Sequence, residues 1–181
     1  MAEVSGLTRD DCQELVDRAL ARNPTVKFMV DKLAEAGCKI SKPFVRVENC
    51  NQEVGGGFRP PDGVVICHNK LTGQEQIEHA LTHELIHAYD HCRVRNLEWT
   101  NCEHHACSEV RAASLSGDCS WKQELMRGNY GIRSQHQVCV RRRAELSVAM
   151  NPHCSGPRAK LAVDTVFAKC FQDTEPFDRR P

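Results

Sequence analysis

A helix-dominated α+β fold is what this sequence predicts, with a small β-sheet and a C-terminal helical hairpin. Two observations carry the prediction. Helical periodicity with matching cap residues recurs along most of the 181 residues, and extended patterning is confined to one stretch rich in glycine and proline, between about residues 44 and 67. The length suits one domain spanning 1–181 around a single core.

Thr8 can cap a first helix, since Asp10 and Asp11 fall in its first turn and Leu15, Val16, Ala19 and Leu20 follow helical spacing. Asn23-Pro24 ends it. Pro24 suits the start of a second helix through Phe28, Val30 and Leu33, which Gly37 stops. Phe44, Val45 and Val47 then pattern as a strand and Val64 to Cys67 as another, with Gly55-Gly56-Gly57 and Pro60-Pro61-Asp62-Gly63 as turns. A long helix follows from about Gly73 to Cys92, its apolar stripe formed by Ile77, Leu81, Leu85 and Ala88. Further helices are expected over 101–115, 119–127, 134–150 and 156–171, with Pro152 and Gly156-Pro157 marking the last turn.

Twenty-four basic residues balance 24 acidic ones, so no net field favours nucleic acid or anionic lipid. The longest apolar runs are far short of the roughly 20 residues of a membrane-spanning helix, so any membrane association is expected to be peripheral. Met1 to Gly6 lacks the marks of a cleavable secretory or mitochondrial address. Eleven cysteines, spread from Cys12 to Cys170, argue for an oxidising compartment, and their odd number leaves at least one thiol over. Cys139 and Cys170 lie almost equally far from the last turn. That symmetry predicts that they staple the terminal hairpin, within a set of five bridges and one free thiol.

The chemistry lies in His83-Glu84-Leu85-Ile86-His87, an HExxH pattern inside a segment that independently patterns as helix. Given nine histidines and fourteen glutamates in this length, only roughly 0.03 chance occurrences are expected. A four-residue step is about one helical turn, so both imidazoles project from one face and can bind one Zn2+. Glu84 is placed to take a proton from the water that zinc activates. The expected fold is therefore a zincin-like metalloprotease domain, with a preceding strand able to offer its edge to substrate backbone.

A third ligand is required. The tail Ala88-Tyr89-Asp90-His91-Cys92-Arg93 departs from the metzincin continuation HExxHxxGxxH, with Asp and Arg at its glycine and final ligand places. Glu109 is the better ligand, since it lies on a following helix 22 residues beyond His87, as in the glutamate-ligand zincins. Asp90 is the runner-up, but three ligands on one straight helix cannot easily surround a metal, and orienting a histidine suits it better. His79 and His91 flank the pair and are expected to face solvent or form hydrogen bonds. Cys102-Glu103-His104-His105-Ala106-Cys107 could hold a second zinc, although disulfides explain its cysteines more simply. Arg141-Arg142-Arg143 is expected to be a solvated helix face.

Three segments together carry a specific resemblance: the run His83 to Arg93, then Ala106-Cys107-Ser108-Glu109-Val110-Arg111-Ala112, then Leu115-Ser116-Gly117-Asp118-Cys119. The chain resembles the mitochondrial inner-membrane metalloproteases that serve ATP synthase assembly, a family also described in animals as Ku-binding proteins. The match runs from about Thr8 to Glu175-Pro176-Phe177-Asp178-Arg179. It implies residence in the intermembrane space, peripheral to the inner membrane, with assembly factors and the precursor of ATP synthase subunit 6 as partners. It further implies removal of that subunit's N-terminal extension and a chaperone role in its assembly.

By the same resemblance His83 and His87 are zinc ligands and Glu84 the catalytic glutamate, whereas Glu109 rests on spacing. Import by oxidative folding would account for both the thiols and the missing presequence. Cys102 stands outside the family's cysteine pattern, as the odd thiol or a local substitution. A non-catalytic assembly chaperone is the alternative function, and the intact HExxH argues for retained catalysis. A DNA-repair role follows only from the Ku-binding description, and the neutral charge lends it no support.

Overall fold

Capping chemistry sets the first two helices. Thr8 accepts the Asp11 N–H at 3.2 Å and starts α1, Arg9–Arg22, which buries Cys12, Val16 and Ala19. Asn23 serves both helices: its N–H donates to Ala19 at 2.9 Å, while its side-chain oxygen accepts from Val26 at 3.0 Å and opens α2, Pro24–Glu35. The buried stripe of α2 is Val26, Met29 and Leu33. Of the expected stripe, only Leu33 belongs to it, and Phe28 and Val30 are half-buried. The computed structural model describes residues 6–38, 43–129 and 135–181. The chain divides into two compact units, Met1–Arg93 and Val94–Pro181.

The first unit holds the sheet, β1 (Val45–Glu48), β2 (Gly56–Arg59) and β3 (Gly63–Cys67), in the order β1-β3-β2. β1 runs parallel to β3, pairing Val45 with Val64, and β2 runs antiparallel to it, pairing Gly56 with Ile66. β3 is buried along its whole length, which explains the unbroken run Val64-Val65-Ile66-Cys67. The expectation of a turn at Gly55-Gly56-Gly57 is corrected here, because Gly56 and Gly57 lie in strand β2. Glycine is a poor strand former, but an added Cβ at Gly56 would lie 2.7 Å from the Val65 carbonyl oxygen, so the closeness of the backbones requires it. The helix α3, Gln74–Arg93, packs on α1, α2, β2 and β3 and buries Ile77, Leu81, Leu85 and Ala88, as expected. Disulfides Cys38–Cys92 and Cys50–Cys67 tie the ends of α2 and α3 and the strand region.

The second unit is helical. α4 (Cys102–Leu115) packs against both α6 (Gln135–Met150) and α7 (Pro157–Gln172), and short α5 (Trp121–Met126) lies on α6. The expected first residue of α6, 134, lies outside the described residues. α6 and α7 do form a hairpin, but Cys139 and Cys170 do not staple it. Cys170 bonds Cys107 on α4, Cys139 bonds Cys119, and Cys102 bonds Cys154. Equal distance from a turn makes two residues level along a hairpin without making them face each other. Both cysteines here turn toward the core shared with α4, where Ala106, Val110 and Ala113 lie. Five bridges and one free thiol are found, and the odd thiol is buried Cys12 rather than Cys102.

Two polar clusters fasten this unit. Glu124, buried on α5, accepts hydrogen bonds from Arg127 at 2.9 Å, Asn129 at 3.0 Å, Gln135 at 2.5 Å and Arg142 at 3.0 Å. Burial pushes its carboxyl upward, but the Arg127 and Gln135 hydrogen bonds and the Arg142 and Arg127 charges outweigh that and leave it below its ordinary range. Its contribution to stability is therefore present at neutral pH and lost as pH falls. Arg142 is thus committed to Glu124, Arg141 to Asp164 and Arg143 to Asp118, so the arginine run is not the purely solvated face that was expected. The C-terminal tail is strapped to α4 through buried Arg111, which donates to the carbonyls of Asp173, at 2.7 Å, and of Glu175.

Peptide mapping of the oxidised protein without reductant should find Cys107–Cys170 and Cys119–Cys139 linked and Cys12 as the one alkylatable thiol, reactive only after denaturation. Burial pushes the Cys12 thiol up to about 11, which itself slows alkylation. Replacing both Cys107 and Cys170 by alanine should lower unfolding stability by about 4 kcal/mol, from the 63-residue separation in the chain-entropy model. Urea titration measures it.

Candidate active site

Two buried rows run along α3. One is the apolar stripe, and the other turns Thr82, Glu84, His87 and Asp90 inward. Packing alone disfavours such polar groups in a core, since each must recover the hydrogen bonds it gave up in water. His83 and His87 lie one turn apart with ring centroids 4.8 Å apart and planes at 77°. Their edge-to-face arrangement places two imidazoles side by side on one helix face, as the four-residue spacing predicts.

Glu84 is 6% exposed and lies beneath β2, where a Cβ on Gly56 would come 3.3 Å from its Cγ. The glycine strand and the HExxH helix therefore approach as closely as a missing side chain allows. Asp90, also buried, accepts from Arg93 Nε at 3.0 Å, and the Arg93 guanidinium covers Tyr89 at 5.7 Å. His79 is half-buried, and exposed His91 leans on Phe58 with centroids 5.6 Å apart.

In the second unit, Asn101 opens α4 by accepting the N–H groups of Glu103 and His104 at 3.0 and 3.2 Å. Two turns along, Glu109 is buried, and His105 Nε2 lies 3.3 Å from its Oε1. His105 in turn meets Asn151 Nδ2 at 3.2 Å and the Trp99 ring at 5.9 Å between centroids. Both cysteines of the Cys102 to Cys107 segment are in disulfides, as the simpler reading of that segment expects. The i, i+4 spacing of His105 and Glu109 was a sequence signal for their contact, whereas Asn151 is brought there by the fold.

The family model for the peptidase family M76 matches residues 10–178. This chain belongs to that family. It is 46% identical over 173 residues to the human "mitochondrial inner membrane protease ATP23 homolog", covering 94% of this chain and 70% of that protein. It is 43% identical to the corresponding Xenopus laevis protein, covering 94% and 73%, and 38% identical to the Mycosarcoma maydis mitochondrial inner membrane protease ATP23, covering 94% and 91%. No solved structure matches. The resemblance carried by the HExxH and Ala106 to Ala112 segments is thus upheld across most of the chain. Membership in M76 makes peptide-bond hydrolysis the chemistry to account for. Among the described residues of this M76 peptidase, no helix is long and apolar enough to cross a membrane.

The contact between strand and helix can be tested at two adjacent glycines. Gly56→Ala should lower stability by about 1 to 3 kcal/mol, as overpacking does, and reduce peptidase activity by displacing Glu84. Gly57→Ala, whose added Cβ would meet nothing within 4 Å, should leave both near the unsubstituted level. Thermal melts and a peptide-cleavage assay distinguish the pair.

Proposed function

We propose that this M76 peptidase is a zinc-dependent endopeptidase in which His83, His87 and Glu109 hold the metal and Glu84 is the general base. The observation that carries this reading lies on α3, where half-buried His83 and buried His87 bring their rings together beside the buried Glu84 carboxylate. Two imidazoles and a carboxylate form a donor set that suits zinc, which matches the chemistry of these side chains. When bound, zinc supplies Lewis acidity toward water and the scissile carbonyl. Glu84 takes the proton from the attacking water and passes it to the leaving amine. β2, at the edge of the sheet, offers its backbone groups to an extended substrate.

The same proposal extends to setting and substrate. The enzyme acts in the mitochondrial intermembrane space, peripheral to the inner membrane. It removes the N-terminal extension of ATP synthase subunit 6 and assists that subunit's assembly. Five disulfides support an oxidising compartment, and the names of the human and fungal relatives support the mitochondrial setting.

Glu84→Gln should retain zinc yet lose peptide cleavage by roughly two to four orders of magnitude, since an amide cannot accept the proton. Near-normal cleavage would remove Glu84 from this role. Subunit assembly that survives in the same variant would separate chaperoning from hydrolysis. Dialysis against a mild chelator should strip zinc from Glu109→Ala more readily than from Asp90→Ala. The reverse order, read by metal analysis, would give the ligand role to Asp90.

A further inference from the structure

We infer that Asn151 and His105 form a hydrogen-bond relay that orients the Glu109 carboxylate, which makes His105 a positioning residue for the metal site. Its bearing on zinc rests on the proposed ligand role of Glu109, but the relay itself lies wholly within the second unit.

The direction of every proton follows from Asn151. Its Oδ1 accepts the backbone N–H of His153 at 3.0 Å, which fixes the amide so that Nδ2 faces the other way. One hydrogen of Nδ2 goes to the Trp99 carbonyl at 2.8 Å, and the second points to His105 Nδ1 at 3.2 Å. A donor facing Nδ1 requires Nδ1 to be the accepting nitrogen, so the ring proton sits on Nε2. Nε2–H then donates to Glu109 Oε1, 3.3 Å away. With Oε1 engaged, Oε2 would be the oxygen offered to a metal, the outer support that carboxylate ligands receive from neighbouring side chains.

The surroundings hold the relay in place. The His105 side chain is 15% exposed and packs edge-on to Trp99. The turn bearing Asn151 closes through the Cys154 N–H to the Asn151 carbonyl at 2.9 Å, and Cys154 is bonded to Cys102 in the first turn of α4. One disulfide thus fastens the donor turn to the helix that carries both His105 and Glu109.

Long-range 1H–15N NMR of the labelled, metal-free full chain reads the tautomer without any substitution. His105 should appear with its proton on Nε2, and an Nδ1–H form would overturn the relay. Chelator competition then reads its effect on zinc. His105→Ala should weaken zinc affinity by about 10- to 100-fold, and His105→Gln, whose amide N–H can reach the same oxygen, should recover most of the loss. Adding His105→Ala to Glu109→Ala should cost nothing further. Unchanged affinity in His105→Ala, or a full loss in His105→Gln with an unaltered melting temperature, would overturn the positioning role. A wild-type protein that binds no zinc would defeat the ligand reading and the role toward zinc, while the tautomer would still decide the relay.

Discussion

Burying Glu84, His87 and Asp90 on the same helix as Ile77, Leu81 and Leu85 leaves α3 with little surface to give to water. A helix enclosed on that much of its circumference needs neighbours on several sides, and the first unit supplies α1 and α2 together with β2 and β3. The shape of the sheet follows from the same demand. β3 is apolar throughout because it is covered on both faces, and β2 gives up side chains at Gly56 so that strand and helix can meet. The polar row is costly in a core, and the surrounding elements are arranged to make it tolerable.

α4 meets a similar demand in the second unit. Ser108, Glu109, Arg111 and Ser114 are buried on it beside Ala106, Val110 and Ala113. Here the charges meet specific partners, from distant sequence for Arg111 and from one helical turn away for Glu109. Arg111 donates to tail carbonyls beyond residue 172, and Oε1 of Glu109 meets His105 within the helix itself. Two disulfides bond Cys102 and Cys107 of this helix to Cys154 and Cys170, so its place in the unit is set by covalent links as well as by packing.

Helices were legible in the sequence wherever caps and periodicity agreed. Thr8, Asn23, Pro24 and the 3.6-residue stripe of α3 define α1, the junction with α2 and α3 within a residue or two. The His83, Glu84 and His87 arrangement was legible too, because four-residue spacing on a helix determines geometry without tertiary information. β2 was not, since glycine signals a turn locally and a close approach only once Val65 and Glu84 are known to lie opposite. The same limit applies to Cys139 and Cys170. Counting residues gives height along a helix, but the side a cysteine faces depends on a third helix whose position no local pattern encodes.

Two bonds of the second unit cross in sequence, 102 to 154 and 107 to 170, and both enclose the third, 119 to 139. A backbone cut between residues 119 and 139 would therefore leave its two pieces joined three times over. For a peptidase this has a practical side, since a single self-cleavage in that interval would release nothing and would pass unseen on a gel run without reductant. The unit can carry a broken chain and keep its covalent integrity.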